Sequence, residues 1–247
     1  PDFITSSKRA EWFLDKEVDK KVDGVIGLDL ETIKRLLTVT GPISLADYNL
    51  DITSDNLYEK TQGEVENKFF AGSTKKASFL TSLSRNLIVR LQSLTGVERF
   101  DALKNIFKSL EERHIQIYSH NDLSQDAYAS LAWSGEVKVP SCDNDCYADL
   151  IGTVEANVGV NKANYYVTRK QALDVRITGN QIERTMTVDI TNNANPNLGT
   201  SGVYKNYIRF LTNGSSEVNH AIVISGESNE SVNVDSLGVK DRKENGI

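Results

Sequence analysis

The hydrophobic positions between residues 22 and 45 follow the pattern of a strand, a helix and a second strand. The run V-D-G-V-I-G-L-D predicts a buried strand whose apolar residues are Val25, Ile26 and Leu28. The next segment carries apolar residues at helical spacing, namely Ile33, Leu36 and Leu37. Gly41 and Pro42 then predict the end of this helix and a return to extended backbone in T-G-P-I-S-L. This pattern indicates three elements that pack together, and it contains no catalytic or metal-binding motif.

Further helices are predicted on either side of this unit. The first runs from Thr5 to about Val18 with Thr5 or Ser6 as its N-cap, and a short helix follows Thr53 or Ser54. The clearest helix has leucines at spacings of three and four residues and ends at Gly96. These leucines are Leu80, Leu83, Leu87, Leu91 and Leu94.

A second apolar stripe begins directly after Gly96 and predicts a partner helix. Its members are Phe100, Leu103, Ile106, Phe107 and Leu110. Because the turn T-G-V-E is short, the two helices are expected to form an antiparallel pair that buries both stripes. A strand from Ile115 to Tyr118 and a helix from Ala127 to Trp133 complete this half.

Beyond Pro140 the pattern changes to strict alternation. A long hairpin is predicted between Tyr165 and Ile190, turning at Gly179 and Asn180. A second hairpin is predicted to join residues 204–211 and 218–224 through Asn213 and Gly214. The chain therefore reads as an α+β or α/β protein: an α/β half with a helical hairpin over residues 1–140, and an antiparallel, sandwich-like β domain over residues 141–247.

The composition limits the kinds of molecule that this protein is expected to bind. The 247 residues, 39% of them hydrophobic, can bury one large core or two smaller ones. The formal charge of -6 argues against nucleic acid, since such binders usually present a net basic face. Because the sequence starts at Pro1 without a leader or a long apolar run, we expect it to be part of a longer chain. An upstream segment would then supply any membrane anchor.

The two cysteines lie four residues apart in a polar stretch rich in turn formers. Cys142 and Cys146 predict a local disulfide in an oxidising compartment, with free thiols as the alternative. A zinc site would need two further Cys or His ligands nearby, so none is predicted. The neighbouring oxygen ligands could hold calcium, but they do not match the EF-hand spacing and are better explained as a solvated acidic loop: Asp143, Asn144, Asp145 and Asp149.

The histidines and aspartates near the strands have local explanations. His114 and His120 would lie about 20 Å apart on a straight strand, so they cannot bind one metal together. Asp23 and Asp29 bracket the first strand, which rules them out as an acid–base pair with each other. Asp23 is expected to shape the turn before Gly24, and Asp29 to complement the dipole of the following helix. No metal or cofactor is predicted.

Four segments carry a resemblance to a known family. They are P-D-F-I-T-S-S, V-D-G-V-I-G-L-D with T-G-P-I, K-K-A-S-F-L-T-S-L, and N-V-G-V-N-K-A-N-Y-Y. In this order they resemble the bacterial domain of unknown function 4012 family. That resemblance implies an exported protein, or one anchored in the membrane by an upstream segment, without an established activity.

The α/β half also resembles the LytR-CpsA-Psr proteins, which transfer lipid-linked glycopolymers to the cell wall. The resemblance covers residues 23–44 and 72–83. It implies a phosphotransferase that acts on a lipid-linked pyrophosphate with magnesium. Lys75 and Lys76 would then supply charge near positions where that family has arginines, which bind phosphate through two parallel hydrogen bonds.

The segment from Asn157 to Lys162 is interpreted as a structural bridge between the two domains. Asn157 and Asn161 alternate with residues that suit tight turns, and Lys162 is the one position that could contact an anion. The sequence as a whole predicts a cell-surface or extracellular ectodomain acting as a binding or structural module. The alternatives are the phosphotransferase and an adhesive subunit, and the expected partners are a cell-wall glycopolymer or another envelope protein.

Overall fold

The computed structural model describes residues 2–66, 75–143, 146–159, 161–197, 202–213, 216–224 and 231–233, with side chains for all of these except 62–66, 75–77 and 231–233. The chain divides into two compact units, residues 1–137 and residues 138–247. Helices and short antiparallel sheets together make an α+β protein, which confirms the predicted fold class.

The first unit contains six helices and four strands in its described residues. In chain order they are α1 (Phe3–Val18), β1 (Gly24–Leu28), α2 (Leu30–Thr40), β2 (Ile43–Leu45), β3 (Leu50–Ile52), α3 (Leu57–Glu66), α4 (Lys75–Gln92), α5 (Gly96–Glu111), β4 (Ile115–Ser119) and α6 (Asp122–Ser130). β1 pairs antiparallel with β4, and β2 pairs antiparallel with β3.

The hydrophobic core of this unit lies between α2, α3, α4 and the β2–β3 hairpin. Phe79 and Ile52 are fully buried there, and Phe79 meets the ring of Tyr48 edge to face at 5.2 Å. The predicted leucine stripe of α4 supplies Leu83 and Leu87 to this core, so that prediction is confirmed. Burial of such large side chains is the main force that holds these elements together.

Helix α1 packs on one face of the β1–β4 ribbon. A side chain at Gly27 would meet the ring of Phe3 from α1 at 2.5 Å, so glycine is needed where the helix crosses the strand. Ile26 and Leu28 point to the other face and are 65% and 55% exposed. The prediction that these two residues are buried is therefore wrong. A continuous apolar run does not reveal which of its side chains are covered.

The ends of three helices differ from the prediction. α6 spans Asp122–Ser130 instead of Ala127–Trp133, because the Asn121 side chain accepts from the Ser124 N–H and caps the helix. α1 begins at Phe3 rather than at Thr5 or Ser6, because the Asp2 carboxylate accepts a hydrogen bond from the Thr5 N–H and acts as the N-cap. α4 ends at Gln92, and Gly96, with a φ of 51°, begins α5 instead of ending α4. The end of α2 at Gly41, with a φ of 73°, is as predicted.

α5 buries only part of the stripe predicted for it, and its main partner is α2 instead of the predicted α4. Its buried residues are Ala102, Ser109 and Leu110, and the helix packs mainly against α2. Phe100 precedes Ala102 by two residues, which places it about 200° away around the helix. The small residues allow the close approach to α2, and Phe100, Leu103 and Phe107 are left at the surface.

The second unit consists of two-stranded antiparallel ribbons in its described residues. Its strands are β5 (Ile151–Asn157), β6 (Val167–Thr178), β7 (Gln181–Asn192), β8 (Asn206–Thr212), β9 (Ile222–Ile224) and β10 (Ser231–Asn233). β6 and β7 form the predicted long hairpin, with Thr178 opposite Gln181 at its turn. The predicted second hairpin is wrong, since β8 pairs with β5 and β9 pairs with β10. Alternation identifies a strand but not its partner.

Polar contacts join the β5–β8 ribbon to the β6–β7 ribbon. Arg169 of β6 donates from Nε to the Glu155 carboxylate of β5 at 2.6 Å. The Tyr204 hydroxyl donates to the other oxygen of that carboxylate at 2.8 Å, and the Asn206 amide donates to the same oxygen at 3.1 Å. In the described part of this unit the buried apolar side chains are only Ala163 and Val167. This polar network therefore takes a large share in holding the ribbons together.

Candidate functional site

A chain of charged side chains lies where the β1–β4 ribbon meets α2. Asp29 follows β1 and is the N-cap of α2, because its Oδ1 accepts from the Thr32 N–H at 3.1 Å. Its Oδ2 lies 2.7 Å from Nδ1 of His114, which precedes β4. Register brings the two residues together, since the Asp29 N–H donates to the His114 carbonyl at 3.2 Å.

The same chain continues to the end of α5. Nε2 of His114 lies 3.7 Å from Oε2 of Glu112, and that oxygen also accepts from the Arg35 guanidinium. Arg35 donates from Nε to Glu31 at 3.2 Å as well. Carboxylates thus alternate with basic side chains from α2 to the end of α5. Hydrogen bonding to Glu112 raises the pKa of Arg35, and the same contact lowers the pKa of the Glu112 carboxyl.

This arrangement suits charge pairing better than proton transfer to a substrate. Both ring nitrogens of His114 face a carboxylate, and a general base would need one nitrogen directed at a reacting group. His120 is engaged in a separate pair with Glu11 at 3.0 Å. No group of three or more His, Cys, Asp or Glu side chains that could hold a metal ion occurs in the part of the chain that the structure describes.

We expect the variant Asp29→Asn to lose stability in a pH-dependent way. Partial burial raises the pKa of the Asp29 carboxyl, but hydrogen bonds from His114 and the Thr32 N–H outweigh this and place it below 3.8. The stabilisation is therefore complete above pH 3.8 and is lost as the pH falls through the lower value of the folded state. Asparagine keeps the N-cap acceptor, so the change removes the charge and the second oxygen, which faces His114.

Urea unfolding at several pH values measures this effect. At neutral pH the variant should be less stable by about 0.5 kcal/mol, as is typical of a largely exposed contact of a carboxylate. The difference should disappear in acid. A stability difference that is the same at every pH would show that the charge of Asp29 is not its cause.

A surface groove runs along α5 beside this charge chain. Its volume is about 590 Å³, and its lining residues are Phe100, Leu103, Lys104, Phe107, Lys108, Glu111 and Glu112. The three apolar side chains recur at the spacing of one helix face, and all are exposed. Phe107 also lies 5.9 Å from the ring of Trp133, measured between centroids. Glu112 therefore belongs both to the groove and to the charge chain.

The three lysines predicted to bind a ligand fall in different units of the chain. Lys75 and Lys76 are the first residues of α4, and their side chains lie outside the described residues. Lys162 is exposed, and its carbonyl accepts from the Tyr165 N–H at 3.0 Å in the short helical turn 163–166. Their role in ligand binding stays a prediction.

The residues predicted to have structural roles at β1 and α2 take up local positions. The Asp23 carbonyl accepts from the His120 N–H at 2.9 Å at the end of the β1–β4 ribbon. A side chain at Gly24 would meet the carbonyl oxygen of Tyr118 at 2.3 Å, so the ribbon requires glycine there. Gly41 ends α2, and Pro42 precedes β2.

The side chains of Asn157 and Asn161 form hydrogen bonds with each other and with neighbouring backbone groups. The Asn157 amide donates to Oδ1 of Asn161 at 2.8 Å, and its Oδ1 accepts from the Gly159 N–H at 2.9 Å. The Asn161 amide donates to the Val203 carbonyl at 2.8 Å. These bonds place both asparagines in the framework of the second unit.

The two cysteines lie within disulfide-bonding distance in the structure. The Cα atoms of Cys142 and Cys146 are 6.0 Å apart, which is ordinary for a disulfide. Asn144 and Asp145, between them, lie outside the described residues. Asp149, one of the possible calcium ligands of the acidic loop, accepts a hydrogen bond from the Arg184 guanidinium at 2.5 Å.

The disulfide predicts that unfolded, unreduced protein does not react with iodoacetamide. The measurement is the mass of the protein after labelling in denaturant, with a reduced sample as the control. Two added carbamidomethyl groups should appear only after reduction. Labelling of both cysteines without a reductant would show that they are free thiols.

A family model described as "Protein of unknown function (DUF4012)" matches residues 1–65. The match includes the first two segments in which a resemblance was predicted, and it supports the family over α1 to α3. The segments K-K-A-S-F-L-T-S-L and N-V-G-V-N-K-A-N-Y-Y lie beyond it. No curated protein and no solved structure matches the chain. Among the described helices, none has the length and apolar character needed to cross a membrane.

Two features of this region were not predicted from the sequence: the contact between Asp29 and His114, and the α5 groove. The contact between Asp29 and His114 joins residues 85 positions apart, so it depends on a strand pairing that no local pattern specifies. The groove on α5 was missed because its apolar stripe was assigned to the core. The signal that could have revealed it is the row of small residues on the opposite face, Ala102 and Ser109.

Proposed function

We propose that this chain is a binding module of the cell envelope that recognises a segment of another polypeptide. The observation that carries the proposal is the exposed apolar groove on α5. Large apolar side chains grouped on a surface, with polar residues at the edge, are typical of protein interaction sites. Phe100 is 68% exposed and Leu103 and Phe107 lie on the same helix face, so these residues offer apolar area that binding would remove from water.

The charges of the groove favour one kind of partner. Lys104 and Lys108 lie one helix turn apart beside the apolar side chains. Lys108 lies 3.8 Å from Glu112, whereas Lys104 forms no ion pair with the described residues. An apolar segment that carries an acidic residue opposite Lys104 would therefore complement the groove in both shape and charge.

Two further observations support a location in the cell envelope. A disulfide-bonded pair is stable in oxidising compartments such as the bacterial periplasm and the cell surface. The predicted resemblance to exported proteins agrees with such a location, and the match over residues 1–65 supports the family from which it comes. The phosphotransferase alternative depends on Lys75 and Lys76, and no observation of the described residues adds to it.

Selection from a random peptide library displayed on phage tests the proposed binding. The wild-type protein is the bait, and the variant Phe100→Asp is used to remove peptides that do not need the groove. We expect enriched peptides that combine apolar residues with an acidic residue. They should bind the wild type about tenfold or more tightly than the variant, since a charge in a desolvated apolar site is costly.

Val97→Asp provides the matched control for this experiment. Val97 lies on the same helix and is 75% exposed, but it does not line the groove. The same charge at this position should leave peptide binding unchanged, and circular dichroism should show that both variants are folded. If no peptide is enriched, or if the enriched peptides bind Phe100→Asp as well as the wild type, the groove is not a polypeptide-binding site.

A further inference from the structure

We infer that the outer edge of β1 accepts an extended polypeptide strand from a partner that carries basic residues at both ends of its pairing segment. This surface is separate from the α5 groove, and its test does not depend on the groove. The inference rests on three properties of β1: its free backbone groups, its exposed apolar side chains and the two aspartates that flank it.

The register of the β1–β4 ribbon shows which backbone groups face outward. The Asp29 N–H donates to the His114 carbonyl, and the His120 N–H donates to the Asp23 carbonyl. In an antiparallel pair such bonds recur at every second residue, so Val25 and Gly27 also bond to β4. The N–H and C=O groups of the intervening residues point away from β4. These residues are Gly24, Ile26 and Leu28.

The two edges of the ribbon differ in how they are covered. On the β4 side, the outward N–H of Ile117 donates to the carbonyl of Trp133 at 2.9 Å. On the β1 side, no strand among the described residues pairs with β1 other than β4. A row of outward donors and acceptors at a strand edge is a template for one further strand.

β1 also lacks the features that usually protect a strand edge. Its sequence G-V-I-G-L contains no lysine, no proline and no inward-pointing charge. Ile26 and Leu28 are exposed, although Ile115, which lies opposite Leu28 on the same side of the ribbon, is buried. An added strand would place its own alternate side chains beside them and remove apolar area from water.

The two aspartates that flank β1 favour pairing with a strand of another protein over pairing with a second copy of this chain. Asp23 and Asp29 are both exposed and lie at the two ends of β1. If β1 paired antiparallel with itself around Ile26, Asp23 of one copy would lie opposite Asp29 of the other. Like charges directly opposite each other destabilise a strand pair. Lysine or arginine at both ends of a partner strand would instead meet an aspartate each. The Asp29 carboxylate contacts His114 but is 53% exposed, so a second cation can reach it from the solvent side.

A designed heptapeptide provides the probe for this edge. In Lys-Val-Thr-Val-Thr-Val-Lys the lysines lie opposite Asp29 and Asp23, and the valines lie on the side of the strand that carries Ile26 and Leu28. Binding is followed by nuclear magnetic resonance, through the exchange of backbone amide protons with solvent. In the free protein the amides of Ile26 and Leu28 should exchange rapidly and those of Val25 and Gly27 slowly. With peptide, Ile26 and Leu28 should become protected.

Two control peptides separate backbone pairing from unspecific attraction. In the first, the central valine is N-methylated and cannot donate to the Ile26 carbonyl, so protection of Ile26 should be lost. In the second, both lysines are replaced by glutamate, and affinity should fall about tenfold because two attractive pairs become repulsive. The variant Asp23→Lys should in turn prefer a peptide with glutamate at the matching end.

The deciding measurements use the wild-type protein, so their result does not depend on the folding of a variant. Protection of Ile26 and Leu28 by the basic peptide, with the two control results above, supports it. Slow exchange of both amides in the free monomer would show that the edge is already covered and would overturn it. Equal binding of the basic and acidic peptides, or a dimer in solution that protects Ile26, would overturn it as well.

Discussion

Replacing Phe79 with alanine is expected to lower the free energy of unfolding of the first unit by about 3–5 kcal/mol. Phe79 is fully buried and packs edge to face on Tyr48, within the core between α2, α3, α4 and the β2–β3 hairpin. Removing its ring costs both the lost burial and the cavity that remains, because a densely packed core relaxes only in part. No other single truncation in this unit removes a larger fully buried side chain among the described residues.

Phe100→Ala is the control for this prediction. The same ring is removed from another helix of the same unit, but Phe100 is exposed in the α5 groove. Its loss should change stability by less than about 0.5 kcal/mol. Tryptophan fluorescence during urea unfolding measures both variants, since Trp12 and Trp133 are the only tryptophans and both lie in the first unit. Equal effects of the two variants would contradict the assignment of the core.

Replacing Glu155 with alanine is expected to destabilise the second unit by about 2 kcal/mol. The Glu155 side chain is 12% exposed and accepts hydrogen bonds from Arg169, Tyr204 and Asn206. Removal of one partner leaves the other polar groups partly buried without their acceptor. The value is smaller than for a fully buried pair because the Arg169 side chain is 33% exposed to water.

Glu183→Ala is the matched control within the same unit. Glu183 also pairs with an arginine across neighbouring strands, but its 3.9 Å contact with Arg176 is exposed on both sides. Its loss should cost less than about 0.5 kcal/mol. Circular dichroism in the far ultraviolet follows the unfolding of the strands. If both variants lose the same stability, the network around Glu155 does not join the two ribbons.

The Tyr204 hydroxyl belongs to this network, and its pKa is raised. Burial raises the pKa of Tyr204 above 10.0, and its hydrogen bond to the Glu155 carboxylate acts in the same direction. Both effects favour the neutral hydroxyl, which can donate a hydrogen bond. Its contribution to stability is therefore complete below pH 10.0 and is lost as the pH rises through the higher value of the folded state.

Much of the secondary structure could be predicted because it is encoded by local signals. Gly41 ends α2 as expected, and the turn at Gly179 and Asn180 joins β6 to β7 in the expected register. The leucines of α4 lie in the core because their spacing matches one face of a helix. In each case the deciding information lies within a few residues along the chain.

Features that depend on tertiary contacts could not be predicted in the same way. The stripe from Phe100 to Phe107 has the spacing of a core helix, but α5 instead buries the face with Ala102 and Ser109. β8 pairs with β5, which precedes it by about fifty residues, and not with the segment after Asn213. The candidate surfaces, the α5 groove and the β1 edge, arise at these places, where an apolar pattern is left without a covering element.

The affinity of a selected peptide for three forms of the protein tests the proposed function most directly. Calorimetric titration would compare the wild type with Phe100→Asp in the groove and with Val97→Asp outside it. Binding to the wild type and to Val97→Asp with the same affinity, and about tenfold or more weakly to Phe100→Asp, is the result we predict. Equal affinity for all three forms would contradict the proposal that the α5 groove binds a polypeptide.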